Sequence, residues 1–176
     1  MEFIETSLKG AYVIQLKKIE DDRGFFARAW CQEEFQHHGL NPHMIQLNVA
    51  FSHIRGTIRG MHYQIPPHAE AKFIRCTRGA LYDVIIDLRK DSPTFGRSYG
   101  VELTHDNGST LYAPEGFAHG YQTLLDDTEM YYMTSSTYAP QAARGVRFDD
   151  ERFGIKWPTA VTVISNVDRS WPDFES

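Results

Sequence analysis

The chain has 176 residues, of which 41% are apolar and 13% aromatic, so it can form one hydrophobic core in a single domain spanning 1–176. Its 18 basic and 23 acidic residues give a net charge of −5, which argues against a nucleic-acid-binding protein. It has no apolar run of the roughly 18 residues that a membrane span needs and no N-terminal signal pattern. We therefore expect a cytoplasmic protein without membrane contacts, in which Cys31 and Cys76 are buried and reduced.

The N-terminal part of the chain combines strand and helix signals. The segment 11–19 mixes β-branched and polar residues, which predicts a strand that ends at the turn 21–24. Trp30 and Phe35, with polar residues between them, predict a short helix that ends near Gly39.

The rest of the chain has the pattern of short strands separated by turns. The runs 72–76 and 80–88 flank a connection, 77–79, whose length is typical of a hairpin. A second short helix is predicted at 149–153, and the tail 157–176 is predicted to run over the surface. Further strands are predicted at 99–103, 109–113, 120–124 and 129–134. Short strands at this spacing indicate an all-β sandwich or barrel with short peripheral helices.

Two glycine-anchored segments contain the residues that point to chemistry. The segment 108–119 reads G-x5-P-x-G-x2-H and resembles the second motif of the cupin superfamily, a jelly-roll fold. The segment 56–79 begins like the first cupin motif, with His62 in place. However, Gln64 and Lys72 stand where metal-binding cupins have a histidine and a carboxylate. An amide is a poor ligand for a transition metal and an ammonium group cannot be one, so these positions predict a pocket without a metal.

A histidine that faces a lysine inside a barrel suits the removal of a proton next to a ketone. Such a reaction needs a base with a pKa near the working pH, which histidine supplies, and a positive group for the developing enolate oxygen. His62 is therefore the candidate base, and Lys72, aided by His119 or Arg59, is the candidate stabiliser of the enolate. A second acid on the opposite face would return the proton with inverted stereochemistry.

An ordered series of segments resembles the dTDP-4-dehydrorhamnose 3,5-epimerase family. These segments are 59–64 (RGMHYQ), 87–89 (DLR), 92–96 (SPTFG), 114–120 (PEGFAHG), 129–132 (EMYY), 138–140 (YAP) and 165–168 (SNVD). The resemblance implies a metal-free cupin jelly roll without a cofactor and a homodimer with strand exchange. It also implies a nucleotide-diphosphate-linked 4-keto-6-deoxyhexose as substrate, with epimerisation at C3, C5 or both in deoxysugar biosynthesis.

The resemblance also implies roles for individual residues. It makes His62 the base, Asp168 the carboxylate that orients the imidazole, and Tyr132 the acid on the opposite face. Lys72 falls at the position that stabilises the enolate oxygen. The implied substrate-binding residues are Arg23, Phe26, Gln46, Asn48, Arg59, His119 and Tyr138, with the two arginines suited to the diphosphate and Tyr138 to the nucleotide.

Four positions depart from the family pattern. Arg28 and Ala143 stand where a glutamate is common, Val167 replaces a lysine, and Ala50 replaces a serine. Because the acid–base residues are intact while these outer positions differ, the pattern favours the same chemistry on a different nucleotide or sugar.

Other functions are compatible with part of this pattern. An enzyme that inverts C3 alone or C5 alone, or a ketoisomerase acting between C3 and C4, would use the same first step. A metal-dependent cupin would need metal ligands besides His62 and His119, and Gln64 and Lys72 argue against it. A non-catalytic cupin that binds a nucleotide sugar would have no need for a base, an acid and a cation together.

Overall fold

Two sheets pack against each other in the computed structural model, which describes residues 1–175. The first elements in chain order are β1 (Glu2–Glu5), β2 (Tyr12–Gln15), β3 (Ile19–Asp21), β4 (Gly24–Phe26), α1 (Gln32–His37), β5 (Gln46–Ser52), β6 (Thr57–Gln64) and β7 (Lys72–Arg78). They are followed by β8 (Ala80–Asp87), β9 (Ser98–Thr104), β10 (Thr110–Ala113), β11 (Phe117–Thr123), β12 (Thr128–Thr134), β13 (Ala143–Gly145), a 3-10 turn (Glu151–Phe153), β14 (Val163–Ile164) and α2 (Asn166–Arg169). Within residues 1–175, no helix has the length and apolar character needed to cross a membrane.

The strand order confirms the predicted all-β jelly roll. The first sheet has the order β1-β2-β10-β7-β12-β5, and the second has the order β13-β6-β11-β8-β9, with β14 added in parallel beside β6. Strands β3 and β4 form a separate two-stranded hairpin. From β5 to β8, and again from β9 to β13, successive strands lie in different sheets, so the chain crosses repeatedly between the two layers and both contribute to one interior.

The interior between the sheets contains fully buried aliphatic side chains from both layers. Ile74 and Leu111 come from the first sheet, and Leu81, Ile85 and Leu103 come from the second. A second apolar cluster lies on the other face of the first sheet, where α1 covers it with Phe35. Strand β7 is therefore buried on both faces, which is why an alternation of polar and apolar residues could not reveal which side of it faces the interior.

The connection after β7 is not the predicted hairpin. Strand β7 pairs with β10 and β12, whereas β8 pairs with β9 and β11, so the chain crosses from one sheet to the other at Gly79. This glycine has a φ of +75°, and a Cβ atom on it would lie 2.6 Å from Thr128 Oγ1. The short connection thus needs glycine, but its length did not indicate which sheet the next strand joins.

Three other predictions need correction. The predicted strand 11–19 ends at Gln15, and the chain resumes extended structure at Ile19 to form the β3–β4 hairpin. The tail is more than a surface strap, because β14 and α2 bring it back against β6. Both cysteines are free, but only Cys76 is buried, and burial raises the pKa of its thiol to about 11. The two short helical segments are found where they were predicted, at α1 and Glu151–Phe153.

Candidate functional site

Two adjoining cavities, together called the cleft, share part of their lining. The larger has a volume of about 700 Å³ and the smaller about 430 Å³. His62, Lys72 and Tyr132 line both cavities. The residues predicted to act as base, enolate stabiliser and acid therefore surround the junction between the two cavities.

His62 and Asp168 make the closest contact between an imidazole and a carboxylate in the cleft. His62 lies on β6, and its Nε2 is 2.5 Å from Asp168 Oδ1, which leaves Nδ1 as the ring nitrogen available to take a proton. The Ser165 hydroxyl accepts a hydrogen bond from the Asp168 N–H (3.0 Å) and so caps α2 and fixes the carboxylate. The Gly60 N–H is 3.4 Å from the second carboxylate oxygen.

Asp168 keeps its charge although it is buried. Burial alone would raise the pKa of this carboxyl, but the hydrogen bonds from His62 and Gly60, and the positive charge that His62 can carry, hold the pKa below its ordinary value. An ionised carboxylate at this place can orient the imidazole and stabilise it once it is protonated. The pair therefore has the geometry of a general base with its partner.

Lys72 points into the cleft rather than into water. The residue is 6% exposed, and its Nζ donates a hydrogen bond to the His62 carbonyl oxygen (3.3 Å) and lies 3.2 Å from Glu70 Oε1. Because Lys72 begins β7 in one sheet and His62 belongs to β6 in the other, this contact joins the two layers. A positive charge thus stands close to the candidate base, where a developing enolate oxygen can be stabilised.

Tyr132 and its neighbour Tyr131 face opposite sides of β12. Tyr132 packs against the core between the sheets and lines the cleft, whereas Tyr131 packs in the cluster beneath α1, as strand alternation requires. Burial raises the pKa of the Tyr132 phenol, the Glu70 carboxylate raises it further, and Arg59 acts in the opposite direction. The phenol is therefore protonated at neutral pH, as a proton donor must be.

His119 lies beside His62, because β11 and β6 are paired at these two residues. Its Nε2 is 2.7 Å from Oδ1 of Asp83, a carboxylate that is completely buried in β8. The sequence analysis assigned no role to Asp83, although its position inside an apolar strand was a signal that could have identified it. Arg59 also lines the larger cavity, and its guanidinium donates to the Phe51 carbonyl oxygen (3.2 Å).

The smaller cavity collects most of the other predicted binding residues. Gln46, Asn48 and Tyr138 line it, and the Gln46 amide donates to Asn48 Oδ1 (2.9 Å). Two of the residues that depart from the family pattern, Ala143 and Val167, line the same cavity.

The remaining two departures have different surroundings. Ala50 lines the larger cavity, whereas Arg28 lies outside the cleft and pairs with Glu34 (3.1 Å). Three of the four replacements therefore face the space available to a ligand.

Two predicted binding residues lie outside the cleft of their own chain. Arg23 and Phe26 belong to the β3–β4 hairpin, where the Arg23 side chain is 89% exposed and pairs with Asp21, and Phe26 is 72% exposed. Within one copy of residues 1–175, the structure does not bring these two residues together with His62.

Gln64 and Glu70 are two polar residues of the cleft that were not assigned a part in the reaction or in substrate binding. Gln64 is buried, and its side chain bonds to Glu70 and to the backbone that leads into Tyr138. Across residues 1–175, no three histidine, cysteine, aspartate or glutamate side chains converge in a way that could hold a metal ion.

Comparisons with known proteins give one consistent result. The family model described as dTDP-4-dehydrorhamnose 3,5-epimerase matches residues 5–176. A dTDP-4-dehydrorhamnose 3,5-epimerase of Sinorhizobium fredii is 39% identical over 99% of this chain and 90% of its own length. The crystal structure of the enzyme of that name from Elizabethkingia anophelis superposes with a TM-score of 0.96 at 36% identity, covering 99% of this chain and 96% of the other. The Bacillus anthracis enzyme with TDP and pyrophosphate bound gives 0.93 at 39% identity, covering 98% and 99%.

Proposed function

Because the chain belongs to the dTDP-4-dehydrorhamnose 3,5-epimerase family, we propose that it inverts C3 and C5 of a dTDP-linked 4-keto-6-deoxyhexose. The protein is thus an isomerase of deoxysugar biosynthesis with a nucleotide-sugar substrate. The observation that carries the assignment of its residues is the His62–Asp168 contact of 2.5 Å, which opens on the same cleft as Lys72 and Tyr132.

The reaction begins with His62 as the base. C3 and C5 both lie next to the C4 ketone, so loss of a proton from either carbon gives a C4 enolate. His62 Nδ1 takes the proton, the electron pair of the C–H bond forms the new C=C bond, and the former carbonyl electrons move to the C4 oxygen. Asp168 stabilises the imidazolium that results, because its carboxylate is ionised and already in contact with the ring.

Lys72 and Tyr132 complete the exchange. The ammonium group of Lys72 stabilises the negative C4 oxygen while the enolate exists. Tyr132 then gives its phenolic proton to the carbon from the opposite face, the C4 ketone re-forms, and the carbon has the inverted configuration. His62 returns its proton to solvent and the phenolate regains one, so the enzyme ends unchanged.

The two cavities of the cleft can hold different parts of the substrate. The 4-keto sugar would lie at the junction beside His62, with the Arg59 guanidinium near the diphosphate. Tyr138, 66% exposed at the smaller cavity, offers an aromatic ring to a nucleotide base. The names of the relatives favour the thymidine-linked substrate over the different nucleotide suggested by Ala143 and Val167.

Proton exchange in deuterated water tests this function. Purified protein is incubated with the dTDP-linked 4-keto-6-deoxyglucose, and NMR follows the hydrogens at C3 and C5. We expect deuterium at both carbons and inversion at both. Deuterium at one carbon only would indicate a single-position epimerase, a product with the ketone moved to C3 would indicate a ketoisomerase, and no exchange would indicate a binding protein. Parallel incubations with cytidine- and guanosine-linked sugars test the nucleotide.

We further propose that two copies associate through the β3–β4 hairpin and the edge of the first sheet. Strand β5 ends that sheet and exposes Leu47 and Val49 (60% and 66%), and a free apolar edge of this kind is a site for strand addition. The hairpin is itself exposed and carries Phe26, and an isolated two-stranded hairpin is marginally stable. Docking of one copy's hairpin on the other's β5 would bring Arg23 and Phe26 towards Asn48, which accounts for their distance from the cleft in one copy.

Analytical ultracentrifugation tests this association. We expect a dimer, and we expect the double variant Leu47→Glu, Val49→Glu to sediment as a monomer with raised KM. A double variant Glu2→Lys, Glu5→Lys on β1, the opposite edge of the same sheet, should remain dimeric. A monomeric wild-type protein would refute the proposal.

A further inference from the structure

The loop between β6 and β7 places a carboxylate beside the lysine of the cleft. Glu70 lines the smaller cavity, and its side chain is 12% exposed. Its Oε1 is 3.2 Å from Lys72 Nζ. A buried carboxylate in contact with the cation that is assigned to the enolate oxygen needs an explanation, because it offsets part of that positive charge.

The other oxygen of Glu70 is held from behind by Gln64. The Gln64 Nε2 amide donates to Glu70 Oε2 (3.2 Å) and lies within hydrogen-bond distance of the His68 and Thr137 carbonyl oxygens (3.0 and 3.2 Å). Gln64 Oε1 accepts a hydrogen bond from the Ala139 N–H (2.6 Å). Glu70 is therefore fixed between Lys72 on one side and a buried amide on the other.

The contact with Glu70 occupies one of the N–H donors of Lys72 and leaves another for the substrate. An ammonium group has three N–H donors. One is directed to Glu70 Oε1 and one to the His62 carbonyl oxygen, so the third is left for the space between His62 and Tyr132. A free lysine side chain would have to lose rotamer freedom to be held at one position, and these two contacts fix it before the substrate arrives.

From this geometry, and resting on the proposed function, we propose that Glu70 is a positioning residue of the reaction. It holds Lys72 Nζ so that one N–H points to the place of the C4 oxygen, and it keeps the ammonium away from the diphosphate that enters the same cleft. Gln64 serves by holding Glu70 in place.

Glu70 has a second neighbour whose protonation reports on it. Its negative charge contributes to the raised pKa of Tyr132, after burial and against Arg59. The other charged or titratable groups that line the larger cavity around Tyr132 are Arg59, His62, Lys72, His119, Tyr121 and Asp168. Loss of the Glu70 charge should therefore lower the pKa of the phenol, and the alkaline fall in kcat should move to lower pH.

The test compares Glu70→Gln with a control at Glu129. Glu129 is a half-buried glutamate on the strand of Tyr132, and its Oε1 accepts a hydrogen bond from the Thr77 hydroxyl (2.9 Å) outside the cleft. For Glu70→Gln we expect kcat to fall about 10²-fold, as for the loss of one oriented donor at an oxyanion, with KM changed less than about threefold. The alkaline limb of the kcat profile should move to lower pH. Glu129→Gln should match the wild-type enzyme in all three measurements.

A shorter carboxylate keeps the proposal open to refutation if Glu70→Gln does not fold. Glu70→Asp retains the charge, so it should recover part of the lost kcat and keep the wild-type alkaline limb. Identical kinetics and pH profiles for the Glu70→Gln and Glu129→Gln variants would overturn the role of Glu70, as would a Glu70→Asp variant no better than Glu70→Gln. Inactivity of the wild-type protein would instead refute the proposed function, so the two failures are distinguishable.

Discussion

Asp168 and Asp87 are two of the buried, hydrogen-bonded carboxylates of this molecule, and their partners differ. Asp168, 5% exposed, contacts one histidine whose ring opens on the cleft. Asp87, at the end of β8, is 0% exposed, and its partners are Arg89, Ser92 and Thr94. The first site is called the cleft pair and the second the closed network.

The closed network satisfies its carboxylate with permanent donors. Arg89 approaches both oxygens of Asp87 (2.9 and 2.7 Å), and the hydroxyls of Ser92 and Thr94 donate to Oδ2 (2.5 and 2.6 Å). Burial acts against the charge, but these donors outweigh it and lower the pKa of Asp87 to about 2. Arg89 also stacks over the Phe117 ring (4.6 Å to its centroid), so the network ties the loop after β8 to the sheet.

The comparison shows why similar carboxylates have different consequences. Arg89 carries a fixed charge, and its contacts with Asp87 can only stabilise the fold. An imidazole can accept a proton and give it back, and the free ring nitrogen of His62 faces a space that a ligand can enter. Both carboxylates have lowered pKa values, so it is the partner, and not the pKa of the acid, that separates chemistry from stability.

Removal of the imidazole should produce the largest effect. His62→Ala takes away the base while the strand pairing of β6 is kept, so hydrogen exchange at C3 and C5 should fall by about 10³-fold or more. NMR in deuterated water measures the exchange, and circular dichroism verifies the fold. Exchange at either carbon within about tenfold of the wild-type rate would contradict the assignment of one base for both carbons.

Removal of the negative charge of Asp168 should have the next largest effect. Asp168→Asn preserves the size of the side chain but cannot stabilise an imidazolium, so kcat should fall by about 10²- to 10³-fold. The thermal midpoint should change by only a few degrees, because the His62 side chain can still be solvated by the open cleft. A variant that retains wild-type kcat would mean that the Asp168 carboxylate is not needed for the reaction.

Tyr132→Phe should separate the two proton transfers. The substrate should still lose its hydrogens to solvent, while formation of inverted product falls by about 10²-fold because the donor on the opposite face is missing. Tyr131→Phe, on the other face of the same strand, is the matched control and should leave both rates within about twofold. Equal loss of exchange and of product formation in Tyr132→Phe would contradict its role as the acid.

The sequence identified the cleft residues better than it identified their surroundings. His62, His119 and Lys72 occupy fixed places in motifs of known spacing, and the family resemblance at 129–132 assigned the acid to Tyr132. What these side chains contact depends on the folded chain. Asp83 reaches His119 from another strand, and the two-residue spacing of Glu70 and Lys72 does not by itself predict that their side chains meet. No local pattern encodes such contacts.

Pairing between strands was equally hard to predict. Gly79 permits a tight connection, yet nothing near it distinguishes a hairpin from a crossing between sheets. The resemblance at Arg23 could likewise indicate a role, but it could not indicate that the residue lies on an exposed hairpin outside the cleft of its own chain.

Disruption of the closed network should have the smallest effect, and it should act on stability alone. The Asp87 carboxyl has a folded pKa of about 2 against an ordinary value of 3.8, which corresponds to about 2 kcal/mol of stability above pH 4. Because the folded pKa is lowered, this contribution is complete above the ordinary value and is lost as the pH falls towards 2. Asp87→Asn should therefore lower the free energy of unfolding by about 2 kcal/mol at pH 7, equivalent to about 4–8 °C in Tm for a chain of this length.

The same variant should leave the chemistry unchanged. Below its unfolding temperature, kcat of Asp87→Asn should stay within about twofold of the wild-type value, the reverse of the expectation for Asp168→Asn. Urea titrations at pH 7 and pH 4 should show nearly the same difference between the wild-type protein and Asp87→Asn, and that difference should shrink below pH 4. A loss of kcat without a loss of stability in Asp87→Asn would mean that the closed network acts on the cleft. The partner of a buried carboxylate, arginine or histidine, would then not decide whether that carboxylate serves stability or chemistry.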